Sequence, residues 1–91
     1  MARARQADRN QSEIVSTLRQ LGAHVVVLGG VVDLLVWAGG RWWVCDVKNT
    51  EGRNRLTSTQ QGMIQAGLPI VLLRSVDDAV ALVERALEAA G

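Results

Sequence analysis

The chain is poor in the residues that staple or bridge a small protein. Its 91 residues include one cysteine, Cys45, which excludes an intrachain disulfide and a cysteine-rich zinc site. Cys45 sits in an apolar run and reads as an inert core thiol. There is also one histidine, His24, and nothing in the pattern pairs with it as a metal ligand or catalytic base, so it reads as structural. No run approaches the ~18 apolar residues of a membrane span, and no membrane partner is expected. The first residues are arginine-rich with no apolar stretch behind them, unlike a secretory signal. A reducing, intracellular setting is the default expectation. Neither sign of charge dominates: ten basic against nine acidic residues leave +1, a balance that does not announce a nucleic-acid binder. Internal repeats and low-complexity tracts are missing too.

What is present is a globular composition, 48% hydrophobic and 21% charged, which excludes a disordered chain. A chain this short buries roughly 60–65% of its unfolded surface, so one core of two or three layers is the limit. The charge is clustered rather than large. Arg3, Arg5 and Arg9 crowd the start, and Lys48, Arg53 and Arg55 crowd one loop. Such clusters hold phosphates without a high net charge, which makes Arg9, Arg53 and Arg55 the candidate DNA contacts. Residues 1–7 read as a flexible basic arm and 8–91 as a single domain.

Along the chain, Asp8 or Asn10 can cap a helix to Leu21, with Ile14, Leu18, Leu21 and Val15 as its apolar stripe and Gly22 as its stop. Glu13 lies on the edge of that stripe. Strands are predicted at 24–28, 31–38 and 41–48, with Gly29 and Gly30 in a turn and Gly39-Gly40 as a hairpin signal. The last two strands are apolar on both faces for most of their length, as for central strands covered on both sides. A polar loop, 49–55, follows. Thr57-Ser58-Thr59-Gln60 has capping-box spacing, so a helix begins there and runs to about Gly67. Pro69 opens a fourth strand. Ser75 caps a last helix, 76–90, with Val76, Val80, Val83 and Leu87 as its apolar face and Asp77 and Asp78 at its positive end. The order is α-β-β-β-α-β-α: an α/β fold with a mixed central sheet flanked by helices.

The stretch that carries chemistry is GVVDLLVWAGGRWWVCDVK, residues 30–48. Each apolar run holds one carboxylate, Asp33 and Asp46, and Lys48 shares a strand face with Asp46 because side chains alternate. Two acids and an amine on one sheet face are costly unless they do chemistry. Phosphodiester hydrolysis needs an activated water, relief of charge at phosphorus and an orienting group. A divalent ion lowers the pKa of its water and polarises the phosphoryl oxygen. Mg²⁺ (or Mn²⁺) takes one or two carboxylates, waters and substrate oxygens. Asp33 and Asp46 can supply the carboxylates, the Val47 carbonyl a third ligand, and Lys48 can orient water or steady the transition state. No motif calls for an organic cofactor. A chain of this size offers little surface for DNA, so a homodimer is expected. Trp37, Trp42 and Trp43 read as core or dimer-interface residues, Trp43 and the outer face of the third strand being the interface candidates. Base stacking by one tryptophan is the alternative.

These residues also carry a resemblance. Gly30-Val31-Val32-Asp33-Leu34, then Asp46-Val47-Lys48, then Leu56-Thr57-Ser58-Thr59-Gln60, resemble the PD-(D/E)XK nuclease superfamily. More narrowly they are similar to its small stand-alone VRR-NUC domains, nucleases of phages and bacteria that are like Holliday-junction resolvases. The resemblance spans about residues 10–85. It implies a restriction-endonuclease-like αβββαβ(α) core and a metal-dependent DNA endonuclease. Asp33, Asp46, Lys48, Gln60 and Glu13 would be its catalytic residues, with Glu13 near the metal and Gln60 orienting Lys48 or the water. It further implies a symmetric dimer acting on branched DNA such as four-way junctions, in the cytoplasm of a bacterial cell or phage-infected host. Two departures stand out: Val32 replaces a proline common before the first acid, and Asp46 stands where glutamate is more frequent. The competing expectation is a nucleic-acid-binding or assembly module that keeps the fold without turnover. Gln60 also has a purely structural reading, as the capping-box residue.

Overall fold

The computed structural model describes residues 6–48 and 56–91. The elements are α1 (Gln6–Gln20), β1 (His24–Val27), β2 (Leu34–Ala38), β3 (Arg41–Val47), α2 (Ser58–Gln65), β4 (Val71–Leu73) and α3 (Val76–Ala90). The predicted α/β order therefore holds. The sheet is mixed and open, in the order β1-β2-β3-β4. β1, β2 and β3 form an antiparallel meander, and β4 adds parallel to β3 after the α2 crossover. No helix among the described residues is long and apolar enough to cross a membrane.

One face of the sheet makes the core. Leu34, Val36 and Ala38 of β2 lie in register with Cys45, Trp43 and Arg41 of β3. Their buried members, with Leu73, pack on Ile14, Val15 and Leu18 of α1 and on Ala79, Leu82, Val83 and Ala86 of α3. The fit to α3 is close at the β2–β3 turn: a Cβ on Gly39 would stand 2.2 Å from the Ala86 carbonyl oxygen. This corrects the predicted face of the last helix. Val83 is buried, but Val76 and Leu87 are exposed, and two alanines take the seats against the sheet. Small residues win there because the helix backbone itself approaches the hairpin.

α1 ends as predicted. Gly22, at φ +94, closes a Schellman turn with Gly22 N–H to Arg19 O at 3.0 Å and Ala23 N–H to Leu18 O at 3.0 Å. Leu21 lies past the last helical turn and is exposed, not part of the stripe. The helix starts at Gln6, so Gln6 and Ala7 belong to it rather than to an arm, and Asp8 and Asn10 lie inside it rather than at its cap.

The other face departs from the expectation of full cover. β2 and β3 are the central strands, yet Val26, Trp37 and Trp42 stay exposed on that side. Trp37 and Trp42 meet edge to face, 5.2 Å between centroids. Trp43 is the buried one, its Nε1 donating to the Ala38 carbonyl at 2.9 Å, so it is a core residue and not an interface candidate. β2 is also shorter than predicted. It begins at Leu34, and residues 28–33 form a bent loop, closed by Leu28 N–H to the Asp33 carbonyl at 2.7 Å. Gly29-Gly30 starts a bend that Val31 and Val32 continue, despite their strand propensity.

Candidate active site

Asp33 is the last residue of that loop. Its N–H donates to the Cys45 carbonyl at 3.2 Å, and its carbonyl accepts from Leu28, so its backbone is held from β3 and from the start of the loop. Leu34 pairs with Cys45, which sets Asp33 across from Asp46. Asp33 Oδ2 accepts the Val47 N–H at 2.8 Å. Asp46 is buried, and Lys48 Nζ lies 2.8 Å from its Oδ2. Lys48 is fixed through its backbone as well, its N–H donating to the Leu73 carbonyl at 2.9 Å, which carries the parallel pairing one residue past the end of β3. The site therefore sits at the C-terminal ends of parallel β3 and β4, where α/β sheets commonly open to a ligand.

Gln60 completes it from α2. The capping box forms as read from the sequence. Thr57 Oγ1 accepts the Gln60 N–H at 3.2 Å, and Gln60 Oε1 accepts the Thr57 N–H at 3.1 Å. The same Oε1 lies 3.5 Å from Lys48 Nζ, a marginal bond by length. Gln60 Nε2 donates to the Val31 carbonyl at 2.7 Å. One buried side chain thus starts α2, touches Lys48 and tethers the loop that delivers Asp33.

Asn10 is a site residue that sequence reasoning missed. Its Nδ2 donates to the carbonyls of Lys48 at 3.2 Å and Arg74 at 3.1 Å, clamping α1 onto the ends of β3 and β4. A signal existed: Asn10 precedes Ile14 and Leu18 by the four-residue spacing of one helix stripe, a polar side chain on an apolar face. Arg74 N–H is held in turn by Asp78 Oδ2 at 2.8 Å.

Burial raises the pKa of the Asp33 carboxyl above its ordinary 3.8. The Val47 N–H opposes that, neighbouring Asp46 adds to it by sharing a hydrogen bond and by charge, and Lys48 lowers it. Two facing acids with one ammonium leave the pair short of positive charge. A donor set of two carboxylates beside the Val47 backbone carbonyl suits a hard cation such as Mg²⁺. The Cys45 thiol is pushed up to about 12, first by burial and then by Asp46, which keeps it protonated and inert.

Asp33, Asp46, Val47, Lys48 and Gln60 thus come together. Glu13 does not join them: it is exposed, and among the described residues no three acidic, histidine or cysteine side chains converge as a metal group. Asn10, one turn earlier on α1, is the residue that reaches the site. Arg9 is exposed on α1, while Arg53 and Arg55 lie outside the described residues. No protein-family model, curated protein or solved structure matches the chain.

Proposed function

We propose that the chain is a divalent-metal-dependent DNA endonuclease with a restriction-endonuclease-like core, related in design to the PD-(D/E)XK and VRR-NUC nucleases. The observation that carries the reading is the facing of Asp33 and Asp46, with Lys48 Nζ held 2.8 Å from one of them at the open end of the sheet. A buried ion pair is a poor stabiliser after desolvation, so an acid pair with one lysine is better explained by chemistry than by stability.

In this reading Asp33, Asp46 and the Val47 carbonyl hold Mg²⁺ or Mn²⁺. The ion supplies charge relief at phosphorus and a more acidic water. Lys48 faces the attacking water or a non-bridging phosphate oxygen and steadies negative charge there. Gln60 orients Lys48, and Asn10 fixes the backbone that carries it. Arg9, with Arg53 and Arg55, holds phosphates. A homodimer joined through the exposed Val26 on edge strand β1 would present two centres to a two-fold substrate such as a four-way junction. An intracellular setting in a bacterial cell or phage-infected host belongs to the same proposal.

The rival reading, a binding or assembly module without turnover, draws on the exposed Glu13, which leaves two carboxylates where a third was expected. Labelled single-stranded, duplex, flapped and four-way-junction DNA, incubated with Mg²⁺, Mn²⁺ or EDTA, separates the two. Metal-dependent cleavage lost in Lys48→Ala supports the nuclease. DNA binding with no cleavage under either metal supports the module.

A further inference from the structure

β3 has seven residues and β4 only three, and β4 pairs with Cys45–Val47 alone. The first half of β3 therefore has no strand partner on that side among the described residues. The notch left behind is a cleft of about 560 Å³, within the range of ligand sites. Trp42, Trp43 and Val44 line one side of it, and Met63, Leu68 and Pro69 from the end of α2 and the segment after it line another. Arg41 and Arg85 also line it. The Arg41 guanidinium lies 4.2 Å from the centroid of the Trp43 ring and that of Arg85 lies 5.7 Å from it. The indole is fixed by its bond to Ala38.

Two guanidinium groups therefore lie within about 10 Å of one another across one indole. Neither has a carboxylate partner among the described residues. Like charges at that spacing repel, and an anion between them relieves the repulsion. Arginine is suited to phosphate, and exposed tryptophan to a base face. An apolar cleft with exposed Trp42 at one wall and two unpaired arginines asks for a ligand with a flat apolar body and an anionic group.

We infer that this cleft binds an unpaired nucleotide of a single DNA strand, its base against Trp42 and its phosphate on Arg41 and Arg85. The identity of the strand as DNA rests on the nuclease reading; the site itself does not. Arg41 and Lys48 are seven residues apart on one strand, roughly 23 Å at ~3.3 Å each. A single strand spans that distance in a few extended nucleotides, because its unstacked spacing exceeds the ~3.4 Å per strand of a duplex. The cleft would therefore favour substrates with a single-stranded arm, such as a flap, over a fully paired junction.

The test is binding of a fluorescent ten-nucleotide thymidine oligomer in EDTA, read by anisotropy and by tryptophan quenching. Chelation removes cleavage from the result. Arg41→Gln with Arg85→Gln should weaken binding about tenfold or more. Leu68→Glu, an exposed change that adds a repelling carboxylate to the cleft, should do the same without touching the arginines. Binding unchanged in both variants overturns the inference, even if metal-dependent cleavage is present. So does competition by thymidine monophosphate as strong as that by the oligomer, which would make the cleft a free-nucleotide site. Equal competition by polyglutamate overturns it as well, assigning the cleft to acidic protein. Oligomer binding that depends on the cleft stands even if no cleavage is ever seen.

Discussion

Gln60 Nε2 donates to the Val31 carbonyl at 2.7 Å, so the first turn of α2 holds the loop that ends at Asp33. The same side chain caps α2 and contacts Lys48. Gln60→Ala removes all three links and leaves a buried void. It should cost about 2–3 kcal/mol in chemical denaturation. Gln60→Glu is the sharper probe. It keeps the capping acceptor but loses the donor to Val31. Its stability loss should be smaller, while cleavage falls on the order of 100-fold as Asp33 loses its position. Equal cleavage by Gln60→Glu and the unaltered protein would reduce Gln60 to a cap.

Gly39 bears on the core rather than the site. Its built Cβ would stand 2.2 Å from the Ala86 carbonyl oxygen, whereas one on Gly40 would meet nothing within 4 Å. Both glycines have positive φ, so both alanine variants carry a backbone penalty of about 1 kcal/mol. Only Gly39→Ala adds the collision, for a total of about 2–4 kcal/mol. Thermal unfolding should show its Tm on the order of 10 °C below that of Gly40→Ala. Matching Tm values would mean that α3 does not dock against the hairpin.

The parts of the fold written in local chemistry were legible. The Thr57–Gln60 capping box, the Gly22 stop and the Gly39-Gly40 hairpin each specify their own geometry within a few residues. The facing of Asp33 and Asp46 followed from that hairpin, since its register is set by the turn. What was not legible depends on contacts between distant segments. Ala79 and Ala86 carry little hydrophobic weight, so apolar spacing alone points to Val76 and Leu87 instead. The burial of Ala86 is decided by how closely the α3 backbone meets Gly39. Val31 and Val32 look like strand residues, and only the closure of Leu28 on Asp33 shows a loop. Asn10 resembles a cap until β3 and β4 bring the Lys48 and Arg74 carbonyls to it. The arginine-flanked cleft exists because β4 covers only Val71–Leu73, starting two residues after the Pro69 that the apolar run offers as its first.

The exposed Val26 on edge strand β1 gives the dimer a direct test. Val26 is 45% exposed, so Val26→Arg should leave the monomer folded while placing a charge on the proposed interface. Light scattering coupled to size exclusion should show a dimer for the unaltered chain and a monomer for the variant. Junction cleavage should fall with dimer content. A monomeric unaltered chain at micromolar concentration would remove the two-fold argument for junctions.

Asp33 supplies the pH dependence. Burial, with Asp46 close by, raises its pKa in the folded state. A raised folded pKa means that its contribution to stability is fully present below the unfolded value, near 3.8, and is lost as pH rises through the folded value. In EDTA the unaltered protein should therefore lose stability relative to Asp33→Asn as pH climbs from about 4 toward neutrality. The asparagine keeps an oxygen for the Val47 N–H but carries no charge to desolvate. At pH 7 the variant should melt higher than the unaltered protein. Adding Mg²⁺ should reverse the order, raising the Tm of the unaltered protein and leaving the variant unmoved. That reversal marks a site built for a cation at the expense of the metal-free fold. Parallel Tm curves for the two proteins across this pH range would show that Asp33 carries no such cost, and an Mg²⁺ effect equal in both would place the ion elsewhere.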